Sequence, residues 1–327
     1  MLLTVTVFPS DQASPFAITN FRSNMKQFFN YTLTLLLASL LIAPAADAQQ
    51  FTKRKQYNSV GVTLTAMNYF GDITPKPSIP SLRFGATRPN LGVTFTHRFT
   101  PRISARGGLS YGRITGSDVK AADQNDTDAK FRYNRNMNFR NDIAELSAVA
   151  IFDLIPNRNN YIKRPDFVPY IFAGLAGYAG NPKGEVTDDN SQNLSRGSYI
   201  ALQPLQTEGV SYNRAGIAIP FGIGARYKLN KSFDLGFEIG FRKTFNDYLD
   251  DVSTNYVVSK SALNAGAAQY FGWDITGGGT AGLDGTWFET NQSGYQRGKD
   301  DEDDWYVQAG FTLNYILAPR VKSPKFR

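Results

Sequence analysis

The chain has 327 residues, no cysteine, one histidine and a formal net charge of +7. Without cysteine there is no disulfide framework, no lipid-modified N-terminal Cys, no thiol nucleophile and no Cys-ligated metal. With 42% hydrophobic and 19% charged residues and no long apolar run, it does not read as a helical membrane protein; a β-barrel stays open, because its lumen and loops are polar.

Met25 opens a secretory signal. Lys26 gives a thin positive start, and residues 31–42 an apolar stretch shorter than the roughly 20 residues of a spanning helix. Ala46-Asp47-Ala48 follows as a small-residue cleavage site. Residues 1–24 lack signal character and read as a mis-assigned start or a disordered extension. The expected organisation is thus 1–24 extension, 25–48 signal peptide and 49–327 one domain, with the mature N-terminus near Gln49.

Eight segments then alternate apolar and polar residues, the pattern of strands with one greasy face. They are residues 57–70, 90–99, 103–113, 139–154, 168–178, 216–227, 233–242 and 305–317. The sixth is the clearest, with Ile217, Ile219, Phe221 and Ile223 on one face and small residues and Arg226 on the other. The seventh sets Phe233, Leu235, Phe237, Ile239 and Phe241 against Asp234, Glu238 and Arg242. The fifth is the least decisive, since both its faces are apolar or small. Thr100-Pro101-Arg102 and Leu229-Asn230-Lys231-Ser232 read as tight turns.

Connections go long, short, long, medium, long, short, very long. Outer-membrane barrels show this alternation of short periplasmic turns and longer external loops. The prediction is an all-β, eight-stranded antiparallel transmembrane β-barrel, OmpA-like, with long extracellular loops, in the outer membrane of a Gram-negative bacterium with both mature termini periplasmic. A ten-stranded barrel is the alternative. The last loop, about 243–304, carries a net charge of roughly −7 and reads as holding a short helix over residues 259–271.

An eight-stranded barrel is filled by its own side chains. Inward Arg106, Glu145, Arg226, Glu238 and Arg242 are expected to neutralise one another there, since unpaired buried charge is costly. His97 lies near a turn on the outward face, far from any loop acid, which argues against a His-based catalytic or metal site. Residues 123–128 resemble the start of a calcium loop but lack its glycine and glutamate. No phosphate loop or nucleophile elbow is present. No cofactor, metal, nucleic acid or small-molecule substrate is expected.

Cations gather on the predicted periplasmic side. The residues expected to face a partner are Lys53, Arg54 and Lys55 of the N-terminal arm, Arg158, Lys163 and Arg164 of one turn, and Arg320, Lys322 and Lys325 of the tail. Such asymmetry steers partners rather than setting the fold. Membrane phosphates and an acidic periplasmic protein fit it equally well.

The strings NYFGDITP, RNDIAELSAVAIFD, ALQPLQTEG and IAIPFGIGARYKLNKSFDLGFEIGFRKTFNDYLDDVSTNY resemble the PorG-type outer-membrane barrel family of Bacteroidota, over residues 57–317. The block at 241–252 is the most specific. One departure is Gln206, where a glycine is expected. The resemblance implies a non-enzymatic role in type IX secretion, tethering periplasmic ring components to the outer membrane. A structural barrel or small-solute pore is the alternative, and a barrel enzyme acting on lipid or protein stands behind it.

Overall fold

Alternating segments become strands wherever one face meets apolar surroundings and the other a crowded polar interior. The computed structural model describes residues 55–73, 84–121, 135–187, 192–274, 296–300 and 303–318. The predicted signal and cleavage site, the calcium-like stretch, and Lys53, Arg54, Arg320, Lys322 and Lys325 lie outside the described residues. The barrel belongs to a compact unit spanning Thr52–Arg327.

Eight strands form the wall: β1 (Asn58–Phe70), β2 (Arg88–Arg98), β3 (Ile103–Ser117), β4 (Asn138–Asp153), β5 (Phe167–Ala179), β8 (Ala215–Lys228), β9 (Phe233–Thr244) and β10 (Trp305–Leu317). Each pairs antiparallel with the next, and β10 pairs with β1 from Asn58↔Leu317 to Phe70↔Trp305, so the sheet closes. Two short strands, β6 (Pro182–Glu185) and β7 (Tyr199–Ala201), make a hairpin that joins β4 at Arg140 and Asn141. The sheet therefore has ten strands, but the barrel has eight.

Turn chemistry fixes the short links. Asn230 Oδ1 accepts from the N–H groups of Ser232 and Phe233 at 2.8 and 2.9 Å, and Thr100 Oγ1 accepts from Ile103 N–H at 2.9 Å. The links after β2, β4 and β8 share one end of the barrel, and those after β1, β3, β5 and β9 share the other. The predicted helix over 259–271 is instead three short pieces, at Lys260–Ala262, Ala267–Gln269 and Tyr270–Asp274. Gly266, with φ +86°, turns the chain between the first two.

Phe221, Ile223, Phe237 and Phe311 lie outside and exposed, while Gln308 is buried and Arg226 and Glu238 face inward. Exposed Phe167, Tyr227 and Tyr315 and half-buried Phe233 ring the short-turn end, where amphipathic rings suit a membrane interface. β5 resolves in an unexpected way: the rings of Tyr170, Phe172 and Tyr178 point inward. Phe172 lies across the paired glycines Gly222 and Gly240, whose added β-carbons would sit 2.9 and 2.7 Å from its ring.

The larger apolar cluster is not in the lumen, where Val149, Ile151, Tyr170 and Phe172 form a smaller one. β3 and β4, with 15 and 16 residues, exceed the 9–11 a crossing needs. Their overhanging Ile114, Phe139 and Ile143 pack with Leu249, Tyr256, Tyr270 and Phe271 of the last loop above the long-loop rim.

Candidate functional site

Three places on the molecule concentrate charge: the lumen, the short-turn rim and the cap formed by the long loops. In the lumen, a charge without a partner would be destabilising, and each has one. Arg106 makes a two-pronged ion pair with Glu238, whose Oε1 also accepts from Tyr170 at 2.6 Å. Glu145 Oε2 accepts from Tyr306 at 2.7 Å and lies 3.4 Å from Arg242. Arg226 pairs with Asp153 at 2.7 Å, and the other oxygen of that carboxylate takes Arg98. The five charges singled out in the sequence thus sort into two pairs and one arginine whose partner, Asp153, lay outside the set. Residue parity points to Asp153, which shares the inward face of β4 with Glu145. Two cavities of about 20 and 50 Å³ remain, and Arg106 lines both. Each has room for one to a few waters.

At the short-turn rim, Arg158, Lys163 and Lys231 are exposed and Lys55 is half-buried. Lys228 pairs with exposed Asp166 at 3.2 Å. Arg164 is placed differently from these. It is buried, bonded to Asp234 at 2.7 Å and to the carbonyls of Tyr161, Asn230, Lys231 and Phe233 at 2.5 to 3.2 Å. Its charge is used to clamp two turns together rather than to face a partner. His97 sits 2.5 Å from Asn58 Oδ1 and packs edge-on against Phe99, on the outer face near this rim.

Two of the segments quoted for the resemblance, around Glu208 and Asp251, help build the cap, together with Asp118, Arg135 and Arg297. Glu208 Oε1 accepts from Arg297 at 2.8 Å and from Ser253 N–H at 3.0 Å, and its Oε2 from Thr254 N–H at 3.0 Å and Thr254 Oγ1 at 2.7 Å. Burial raises the Glu208 carboxyl, but Arg297 and these donors outweigh it and hold the group below the usual carboxylate range. Asp251, in the left-handed region at φ +74°, accepts from Thr207 and Tyr212 at 2.6 Å each. Burial pushes it up to about 6 against the pull of Arg297. Arg135 binds both oxygens of Asp118, at 2.7 and 2.8 Å, and the carbonyls of Arg297 and Asp72. Four loops are thereby cross-tied over the mouth. The sequence offered no hint of this knot, because its members are far apart in the chain and match no catalytic or metal spacing.

A closed eight-stranded barrel with an apolar outer wall, an ion-paired lumen and a knotted cap is a transmembrane β-barrel of the outer-membrane type. The chain belongs to the family described as Domain of unknown function (DUF6089), whose model matches residues 39–281. No curated protein sequence matches it. Among solved structures, it is similar to Ail, the attachment invasion locus protein of Yersinia pestis, in complex with the heparin analogue sucrose octasulfate, at 8% identity, 80% of this chain, 99% of that one and a TM-score of 0.35. It is also similar to the N-terminal β-barrel domain of Pseudomonas aeruginosa OprF, at 13% identity, 80% and 99% coverage and a TM-score of 0.30. Neisserial surface protein A matches at 10% identity, 80% and 95% coverage and a TM-score of 0.34.

Proposed function

We propose that this barrel is a non-enzymatic anchor of the outer membrane that holds periplasmic ring components of a type IX secretion machine at its short-turn rim. The observation that carries the reading is where its exposed positive charge lies. The lumen arginines are all paired within the barrel, whereas exposed Arg158, Lys163 and Lys231 cluster at the short-turn rim, with exposed Asp166 the main opposing acid there. The described chain also enters and leaves at this rim, since Asn58 pairs with Leu317. The resemblance to PorG-type barrels supplies the partner, and with it a periplasmic short-turn rim, both mature termini on that side and a cap facing outward.

Deleting the gene separates this role from that of a structural barrel. The expected result is loss of type IX cargo from the medium with the outer-membrane barrier intact. Normal secretion from a deletion strain, with or without a leaky envelope, contradicts the tethering role.

A further inference from the structure

Tyr69 stands at the long-loop end of β1, beneath the cap. Its hydroxyl lies 2.7 Å from Oδ2 of Asp250, in the last loop, and 2.6 Å from Oδ1 of Asp304, at the entry to β10. None of the three is more than 1% exposed. A phenol has one proton to donate, and a carboxylate can only accept. The hydroxyl can donate to one of the two acids; the other contact needs a carboxylic proton donated back to the phenol oxygen. Asp250 already accepts from Val252 N–H at 2.9 Å and Ile73 N–H at 3.2 Å. Asp304 Oδ2 accepts from Leu249 N–H at 2.8 Å, while among the described residues its Oδ1 meets the phenol alone. The proton belongs on Asp304 Oδ1.

We propose that Tyr69, Asp250 and Asp304 form a proton-dependent latch, in which one retained proton ties the last long loop to the barrel mouth and closure weakens as the pH rises. Its surroundings favour keeping that proton. Asp72, Asp247 and Asp303 add negative charge from the first and last loops. Arg135, the cation that acts on Asp250, is engaged by Asp118, and Lys243 pairs with Asp303 at the surface at 3.9 Å. Burial, then Asp72, pushes Asp250 up to about 8; burial, then Asp250 and Asp247, raises Asp304 well above the carboxylate range. Gly71 passes directly over the contact: a β-carbon there would overlap both Tyr69 Oη and Asp304 Oδ1.

The sign follows from proton counting. An opened loop releases its protons near the ordinary carboxylate value of 3.8, whereas the closed cap holds its shared proton to a pH well above that. Between these values the closed state binds more protons, so closure is strongest at the acidic end. It falls by up to about tenfold per pH unit for each proton as the pH rises.

Hydrogen exchange of the full chain in detergent micelles tests the latch, read at the amides of Leu249 and Val252 and corrected for intrinsic exchange at pH 5, 6.5 and 8. Their protection should fall with pH at that slope, while amides of the membrane-spanning part of β10 stay protected. Asp304→Asn keeps a donor to the phenol without a titrating group and should flatten the slope. Tyr69→Phe should lower protection at pH 5 toward its value at pH 8. A flat profile in the unaltered protein, or an unchanged slope in both Asp304→Asn and Asp250→Asn, overturns the latch. Protection at pH 5 that depends on added calcium and vanishes with chelator assigns the acids to a metal ion and also overturns it.

Discussion

Asp153 shows how far one residue can govern a lumen. It is fully buried and receives guanidinium groups from both β2 and β8. Removing it would strand two buried cations, and breaking such a pair costs about 3–5 kcal/mol. Asp153→Ala should therefore lower the stability read from urea titration of refolding into vesicles by an amount of that order; a loss under about 1 kcal/mol would mean that water replaces the carboxylate. The outer face obeys a different rule. Ile223 is 62% exposed in the absence of lipid, at the middle of β8. Ile223→Arg should cost about 2–4 kcal/mol in the same assay, because a charge at the bilayer midplane has no partner. An unchanged midpoint would remove that position from the hydrocarbon. Alternation made the inward direction of Arg226 readable in the sequence. Its partner was harder to see, because pairing across a barrel is set by register and not by spacing along the chain.

Element by element, legibility followed periodicity. The eight wall strands stood out because lipid and lumen impose a period of two, and the bounds of β10 are those expected, residues 305–317. β5 was ambiguous because Tyr170, Phe172 and Tyr178 fill the lumen with rings, so apolar character does not mark its lipid face. The cap was invisible, since its order comes from ties between loops. One local clue did survive. A glycine was expected at 206, and Gln206 adopts φ +49°, the left-handed region that glycine enters without steric cost. Gln206→Gly should keep or raise the resistance of the cap to protease in urea. Gly209→Ala, at φ +73°, should reduce it by about 1–2 kcal/mol. Equal behaviour of the two variants would show that this turn does not limit the cap.

At the scale of the whole molecule, the larger apolar cluster lies above one rim, the exposed positive charge at the other, and the lumen between them is closed by ion pairs. Such an interior predicts no steady conductance steps from purified protein in planar bilayers; reproducible steps would point to the small-solute pore instead. What is left for function is the pair of rims, and the central claim concerns the basic one. The most direct measurement is co-purification of periplasmic ring components with the tagged barrel from detergent-solubilised outer membranes, comparing the native chain with one carrying Lys55→Glu, Arg158→Glu and Lys163→Glu. Arg164 is left intact because it holds two turns together. The account predicts that the altered barrel still inserts but loses its partners, and that added salt weakens capture by the native chain, since exposed charges are screened beyond about 10 Å at 0.1 M. Undiminished capture by the triple variant would contradict it.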